Sequence, residues 1–248
     1  MKAKEIIQVI EKYIPLESQE EWDRSGIQIG NINQEVHKVM ISLNCDKGTV
    51  KACMKQGCQM LITHHPFLLD KVDNYSTDSF IGQVLEICYK NNIVVYSTHT
   101  SLDNTYMNKW LIEALDIYNH FSLPNFPMCE VGELNTPLSK DDFIMLVQNK
   151  YHLSHLKYAG HKETISKVAV LGGSGADLIE DLYDKVDAFI TGDTKYRHAK
   201  NAFDHDILLV DVNHHSESIM IHKLKELIEN EVSVDIVEYH ADDYYTYL

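Results

Sequence analysis

Two stretches of this chain repeat the same order of elements, and that repeat limits the fold more than any other feature. KVMISLNCDKGTVKACMKQGCQMLITHHP (38–66) and KVAVLGGSGADLIEDLYDKVDAFITGDTK (167–195) each open on a Lys-Val strand and pass through a polar turn and a helix. Each closes on a strand ending in Ile-Thr. Thr63 follows Val39 by 24 positions, and Thr191 follows Val168 by 23. Further helical stretches near 80–90 and 195–204 lead into a third apolar strand, within NIVVYSTHTSLD and DILLVDVNHHSES. Each half therefore predicts β-α-β-α-β. Short Val/Ile/Leu runs alternating with helical periods predict an internally duplicated α/β protein with mainly parallel sheets and flanking helices. The expected division is a first half at 1–122, a crossover segment at 123–160 and a second half at 161–248. Within the crossover, Ser139 and the acidic residues after it predict a helix over 140–150. The tail VSVDIVEYHADDYYTYL begins as an alternating strand and ends in an aromatic run.

In parallel sheets, ligands gather beyond the carboxyl ends of the strands. The first half ends its second strand in His64 and His65 and its third in His99 and Asp103. The second half supplies Asp193, then Asp211, His214, His215 and Glu217, at the corresponding ends. Imidazole and carboxylate thus collect where the topology expects a site, and together they suit a divalent metal.

Each residue also has a plainer role. Adjacent residues on a strand face opposite ways, so one ion rarely takes both His64 and His65. Pro66 pushes His65 toward an extended conformation at the strand end, and two neighbouring metals, one per ring, satisfy the geometry. Asp103 alone reads as a cap for a helix starting near Asn104. His214 and Glu217, three apart, become neighbours if a helix starts near Ser216. Glu217 could then bridge two metals, or sit solvated in a helical first turn. GGSG (172–175) suits either a tight turn or a phosphate, and it lacks the ending of a P-loop. The role of Asp23 in WDRSGIQIG is not legible from spacing.

The formal net charge of -15 works against a nucleic-acid backbone as partner. The N-terminus reads as an amphipathic charged helix without a signal peptide's apolar core, and no stretch has the length of a membrane span. Five cysteines without a C-x-x-C pair fit a reducing cytoplasm. No G-x-S-x-G element or local cysteine-nucleophile signature favours covalent catalysis.

Taken in order, WDRSGIQIG, LITHHPF, STHTSLDN, GGSG, ITGDTKYRHA and VDVNHHSE resemble the Nif3-like dinuclear metal centre family, whose members carry the name GTP cyclohydrolase 1 type 2 homologue. The resemblance spans nearly the whole chain. It implies a toroidal homohexamer with two divalent ions per subunit between the two halves. The implied metal ligands are His64, His65, Asp103, His214 and a bridging Glu217, with His99 and Asp193 as catalytic pocket residues. Many members place the glutamate four residues after the histidine, where this chain has Ser218. The donor set admits Zn, Fe, Mn, Co or Ni. The implied chemistry is hydrolysis of a small nucleotide-like or cyclic amide substrate by metal-activated water. A non-catalytic metal-binding hexamer for metal storage, supply or regulation predicts the same ligands.

Overall fold

The computed structural model describes residues 1–245, and its backbone divides into two compact units. The first comprises Met1–Asn104 with Met220–Tyr244, and the second contains Thr105–Ile219. Each is built on its own sheet.

In the first unit, α1 (Ala3–Tyr13) precedes β1 (Gly26–Ile29). The repeat then runs β2 (Lys38–Ser42), α2 (Lys47–Lys55), β3 (Met60–Thr63), α3 (Phe80–Lys90), β4 (Val94–Ser97), followed by the short α4 (His99–Leu102). The predicted β-α-β-α-β order is present. Strands β2, β3 and β4 are parallel, with Val39 opposite Met60 and Met60 opposite Val94. All but the first residue of β2, and every residue of β3 and β4, are buried. That two-sided burial is why these strands read as continuous apolar runs rather than alternating ones. Met40, Leu61 and Val95 join Val50 and Cys53 of α2 and Val84 and Cys88 of α3 in one core cluster. Asp46 caps α2 through Thr49 N, and Ser79 caps α3 through Gly82 N.

The second unit holds α5 (Asn108–Ala114), β5 (His120–Leu123), β6 (Phe126–Ser139), α6 (Lys140–Lys150), β7 (Lys157–Ala159), β8 (Thr164–Val170), β9 (Ala188–Thr191), α7 (Tyr196–Asp204) and β10 (Leu208–Asp211). Its strand order is β5-β6-β8-β9-β10-β7, parallel through β8, β9 and β10 and antiparallel toward both edges. The predicted helix at 140–150 is α6, and Ser139 Oγ accepts from Asp142 N at 3.2 Å.

Three sequence expectations differ from this arrangement. The segment 123–160, expected as a crossover, contributes two strands to the second sheet: β6 lies inside it, between β5 and β8, and β7 closes the opposite edge. The helix expected after GGSG is a six-residue 3₁₀ helix, Ala176–Asp181, with Gly173 before it and Asp184 after it at positive φ. The chain after Ile219 also departs from the second half. The helix α8 (Ile219–Ile228) leads to β11 (Asp235–Glu238), which pairs in parallel with β2 in the first sheet. Part of the tail's aromatic run lies outside the described residues; Tyr244 donates to Asp46 Oδ2 at 2.6 Å. No helix among the described residues is long and apolar enough to cross a membrane, and all five cysteines are buried and free.

Candidate metal centre

In the first unit, the ends of β3 and β4 bring four of the candidate residues together. The ladder between the two strands continues past their ends: Thr98 N donates to Thr63 O and His99 N to His64 O, both at 2.9 Å. This draws His99 alongside the histidine pair. Beneath the pair, the His65 carbonyl accepts from Thr63 Oγ1 at 3.0 Å and Ser97 Oγ at 3.1 Å, while the amides of His64 and His65 both donate to Leu43 O.

The three rings converge. Centroids of His64 and His65 lie 4.6 Å apart, and His99 lies 5.5 Å from the first and 5.6 Å from the second. Asp103 brings its Oδ1 to 3.5 Å from His64 Nε2. His64 is 1 % exposed. His65 Nδ1 is hydrogen-bonded to Asn44 Oδ1 at 2.9 Å, which turns its Nε2 to other use in the manner of metal-bound histidines. A group of imidazoles, His64 buried and His65 and His99 half-buried, with a carboxylate beside it has the donor chemistry of a divalent-metal site, so these residues fit the ion that the sequence implies. Asp103 is not an N-cap: its backbone is helical, at φ -59° and ψ -43°, and it opens a π-helical turn, Asp103–Met107.

Asp23 is the residue that spacing did not reveal. The antiparallel register of β1 on β4, Gly26 opposite Ser97, carries the loop before β1 to the start of α4. There the Asp23 carboxylate, with no exposed side-chain surface, meets His99 Nδ1 at 2.6 Å and Ser25 Oγ at 2.6 Å. It also accepts from Arg24 N and Thr100 N. Burial raises its pKa, but the hydrogen bonds from His99, Ser25, Thr100 and Arg24 outweigh it and hold the carboxyl far below the usual range. Only the fold could supply this pairing, because the two residues are 76 positions apart.

The second unit assembles a different group. His214–Ser218 is a 3₁₀ helix, in which residues three apart eclipse. His214 Nδ1 consequently lies 3.8 Å from Glu217 Oε2, so the spacing of three that distinguishes this chain places both on one side. Glu217 is 3 % exposed and rests on the glycine turn. A Cβ added at Gly173, whose φ is +63°, would come within 2.7 Å of Glu217 Oε1. Gly172 N donates to Asn108 Oδ1 at 2.7 Å, and Gly173 O accepts from Gly192 N and Thr191 Oγ1. The GGSG turn is therefore the seat of a carboxylate.

Asp211, at the end of β10, accepts from Thr194 N at 2.8 Å, Thr194 Oγ1 at 2.6 Å and Asn213 N at 2.9 Å, with Lys157 Nζ 3.0 Å away. Burial raises its pKa, but these donors outweigh it and the net shift is downward. Asp211 thereby ties the loop after β9 to the loop bearing His214. Asp193, expected in the pocket, is exposed and left-handed at φ +49°. His215 donates its amide to Asn213 Oδ1.

Imidazole and carboxylate donors at the strand ends define an α/β protein whose donor set suits a divalent metal. The family model of Duf34/NIF3 (NGG1p interacting factor 3) matches residues 1–243, and the chain belongs to that family. A GTP cyclohydrolase 1 type 2 homolog of Clostridium perfringens is 29% identical over 247 residues, covering 95% of this chain and 94% of that protein. Reduced HcgD from Methanocaldococcus jannaschii superposes with a TM-score of 0.85 at 31% identity, over 96% of this chain and 97% of that one. A hypothetical protein from Staphylococcus aureus shares the fold at a TM-score of 0.92 and 21% identity, over 100% of this chain and 99% of its own.

Proposed function

We propose that this protein is a dinuclear divalent-metal-dependent hydrolase acting on a small nucleotide-like or cyclic amide substrate. The observation that carries the reading is the convergence of His64, His65 and His99 with Asp103 at the ends of β3 and β4. The family resemblance implies His64, His65, Asp103, His214 and Glu217 as the ligands of the two ions. The relatives' name, GTP cyclohydrolase 1 type 2 homolog, supports a nucleotide-like substrate.

Once bound, the ions supply Lewis acidity and lower the pKa of water. The chain's own residues do the rest. Asn44 orients the His65 ring, and Asp103 places its carboxylate beside His64. Gly173 leaves room for the Glu217 carboxylate, while His99 is held within reach of the cluster as a group able to take or give a proton. Asp193, with its exposed side chain, is the weaker choice for that role. A toroidal homohexamer in the cytoplasm is part of the same proposal, and light scattering of the purified protein tests the assembly.

The test is elemental analysis of untagged protein together with a turnover screen on GTP, other nucleotides and cyclic amides. Two ions per subunit, with hydrolysis abolished in His64→Ala and Asp103→Ala, support the reading. Metal-replete protein that hydrolyses none of these overturns it in favour of metal storage or supply.

A further inference from the structure

Around the histidine cluster, one buried acid has no part in the ligand set, and its hydrogen bonds define what it does. Asp23 Oδ1 faces His99 Nδ1 at 2.6 Å and Arg24 N at 2.6 Å; Oδ2 faces Ser25 Oγ at 2.6 Å, Thr100 N at 3.1 Å and Thr100 Oγ1. A carboxylate surrounded by donors acts as an acceptor only, so the ring nitrogen facing it must carry the proton. In a neutral imidazole the other nitrogen is then an acceptor.

The position of His99 is equally constrained. Its amide is tied to the His64 carbonyl, and its φ of +21° is one that a side-chain-bearing residue adopts only when its surroundings impose it. The edge of Trp22 contacts the ring at a centroid distance of 5.8 Å and an angle of 81°. Backbone, carboxylate and indole together leave the ring one orientation, beside His64 and His65.

We propose that Asp23 is a positioning residue that fixes His99 as the Nδ1–H tautomer, so that Nε2 serves as the proton acceptor for water or substrate at the histidine cluster. The proposal rests on the hydrolase reading for the use of that nitrogen. The tautomer itself does not depend on it. His99 in this role is not a metal ligand, and Asp23 acts only through it.

The experiment uses the full-length protein, stripped of metal and labelled with 15N-histidine. Long-range proton–nitrogen correlation of the rings is recorded, with the His99 signals assigned by their absence in His99→Gln. With the pH raised until the ring no longer shows the doubly protonated signal, the expected result is a protonated Nδ1 and an unprotonated Nε2 at His99. That pattern should be lost in Asp23→Asn and kept in Ser25→Ala, which removes a neighbouring hydrogen bond and leaves the Oδ1 contact. An Nε2–H tautomer in the wild-type protein overturns the proposal without recourse to any variant, and so does an unchanged pattern in Asp23→Asn.

A Zn2+ titration separates the two readings. Asp23→Asn should lose less than the about 10-fold in affinity that removal of a metal-supporting residue costs. A loss as large as that of His64→Ala overturns the positioning role, because Asp23 would then be assembling the ligands. A wild-type protein that takes up no Zn2+ yet shows the Nδ1–H pattern supports the Asp23 assignment and sinks the metal reading alone.

Discussion

Thr63 and Thr191 end equivalent strands in the two units, yet their hydroxyls hold up different things. Thr63 Oγ1 donates to the carbonyl of His65, beneath a pair of imidazoles stiffened by Pro66. Thr191 Oγ1 donates to the carbonyl of Gly173, beneath the glycine turn that seats Glu217. The first unit gathers nitrogen donors by extending a parallel ladder past its last residues. The second gathers a histidine and a carboxylate by winding a short 3₁₀ helix, which it braces with Asp211. The two units thus share a strand-end platform while the loops above it differ in chemistry, and in the second unit Asp211 braces two loops while Glu217 rests on the glycine turn.

That contrast can be broken most forcefully at Asp211. Asp211→Ala removes the acceptor for two backbone amides, a hydroxyl and a lysine, and should destabilise the protein by about 3 kcal/mol, read by urea denaturation. The corresponding pH effect has a fixed sign. Asp211 and Asp23 have pKa values lowered in the folded state. Their contribution is therefore complete above the unfolded carboxylate value of about 4 and is lost as the pH falls below it. In Asp211→Asn this acid-side loss should shrink, measured as melting temperature against pH.

A smaller effect is expected at the glycine turn. Gly173→Ala must accept a left-handed φ and a clash with Glu217, at a cost of about 1–3 kcal/mol. It should also lower metal uptake by displacing the carboxylate, whereas a substitution confined to the fold should leave uptake alone. Ser139→Ala provides that control. It removes the cap of α6 and should cost about 1 kcal/mol with metal content unchanged, checked by thermal melts and elemental analysis.

Much of this molecule could be read in advance, and the reason is periodicity. The β2-α2-β3-α3-β4 unit, α6 with its Ser139 cap and the α7 region follow from apolar spacing and local capping, which act over a few residues. The placement of β6 between β5 and β8, and the return of β11 to the side of β2, could not be read, because strand neighbours are chosen by long-range pairing. The same divide runs through the candidate residues. His64 and His65 stand out because adjacent imidazoles at the end of an apolar strand are conspicuous. Asp23 does not, because its partner lies 76 residues away across an antiparallel register. Asp193 stands out by its place after the Ile-Thr end of a strand, and the structure gives it a left-handed backbone at an exposed position.

By itself, the sequence determined the duplicated α/β plan, the strand ends where donors collect, and the types of donor available there. These are fixed by local propensity and by the rule that parallel sheets present their loops at the carboxyl ends. Tertiary structure decided which donors share space and in what state. It laid His99 against an ionised Asp23 and turned a three-residue spacing into an eclipsed His214–Glu217 pair. It also committed Asp211 to the loops instead of a ligand. Those outcomes depend on register, burial and helix pitch, which arise only when distant segments pack.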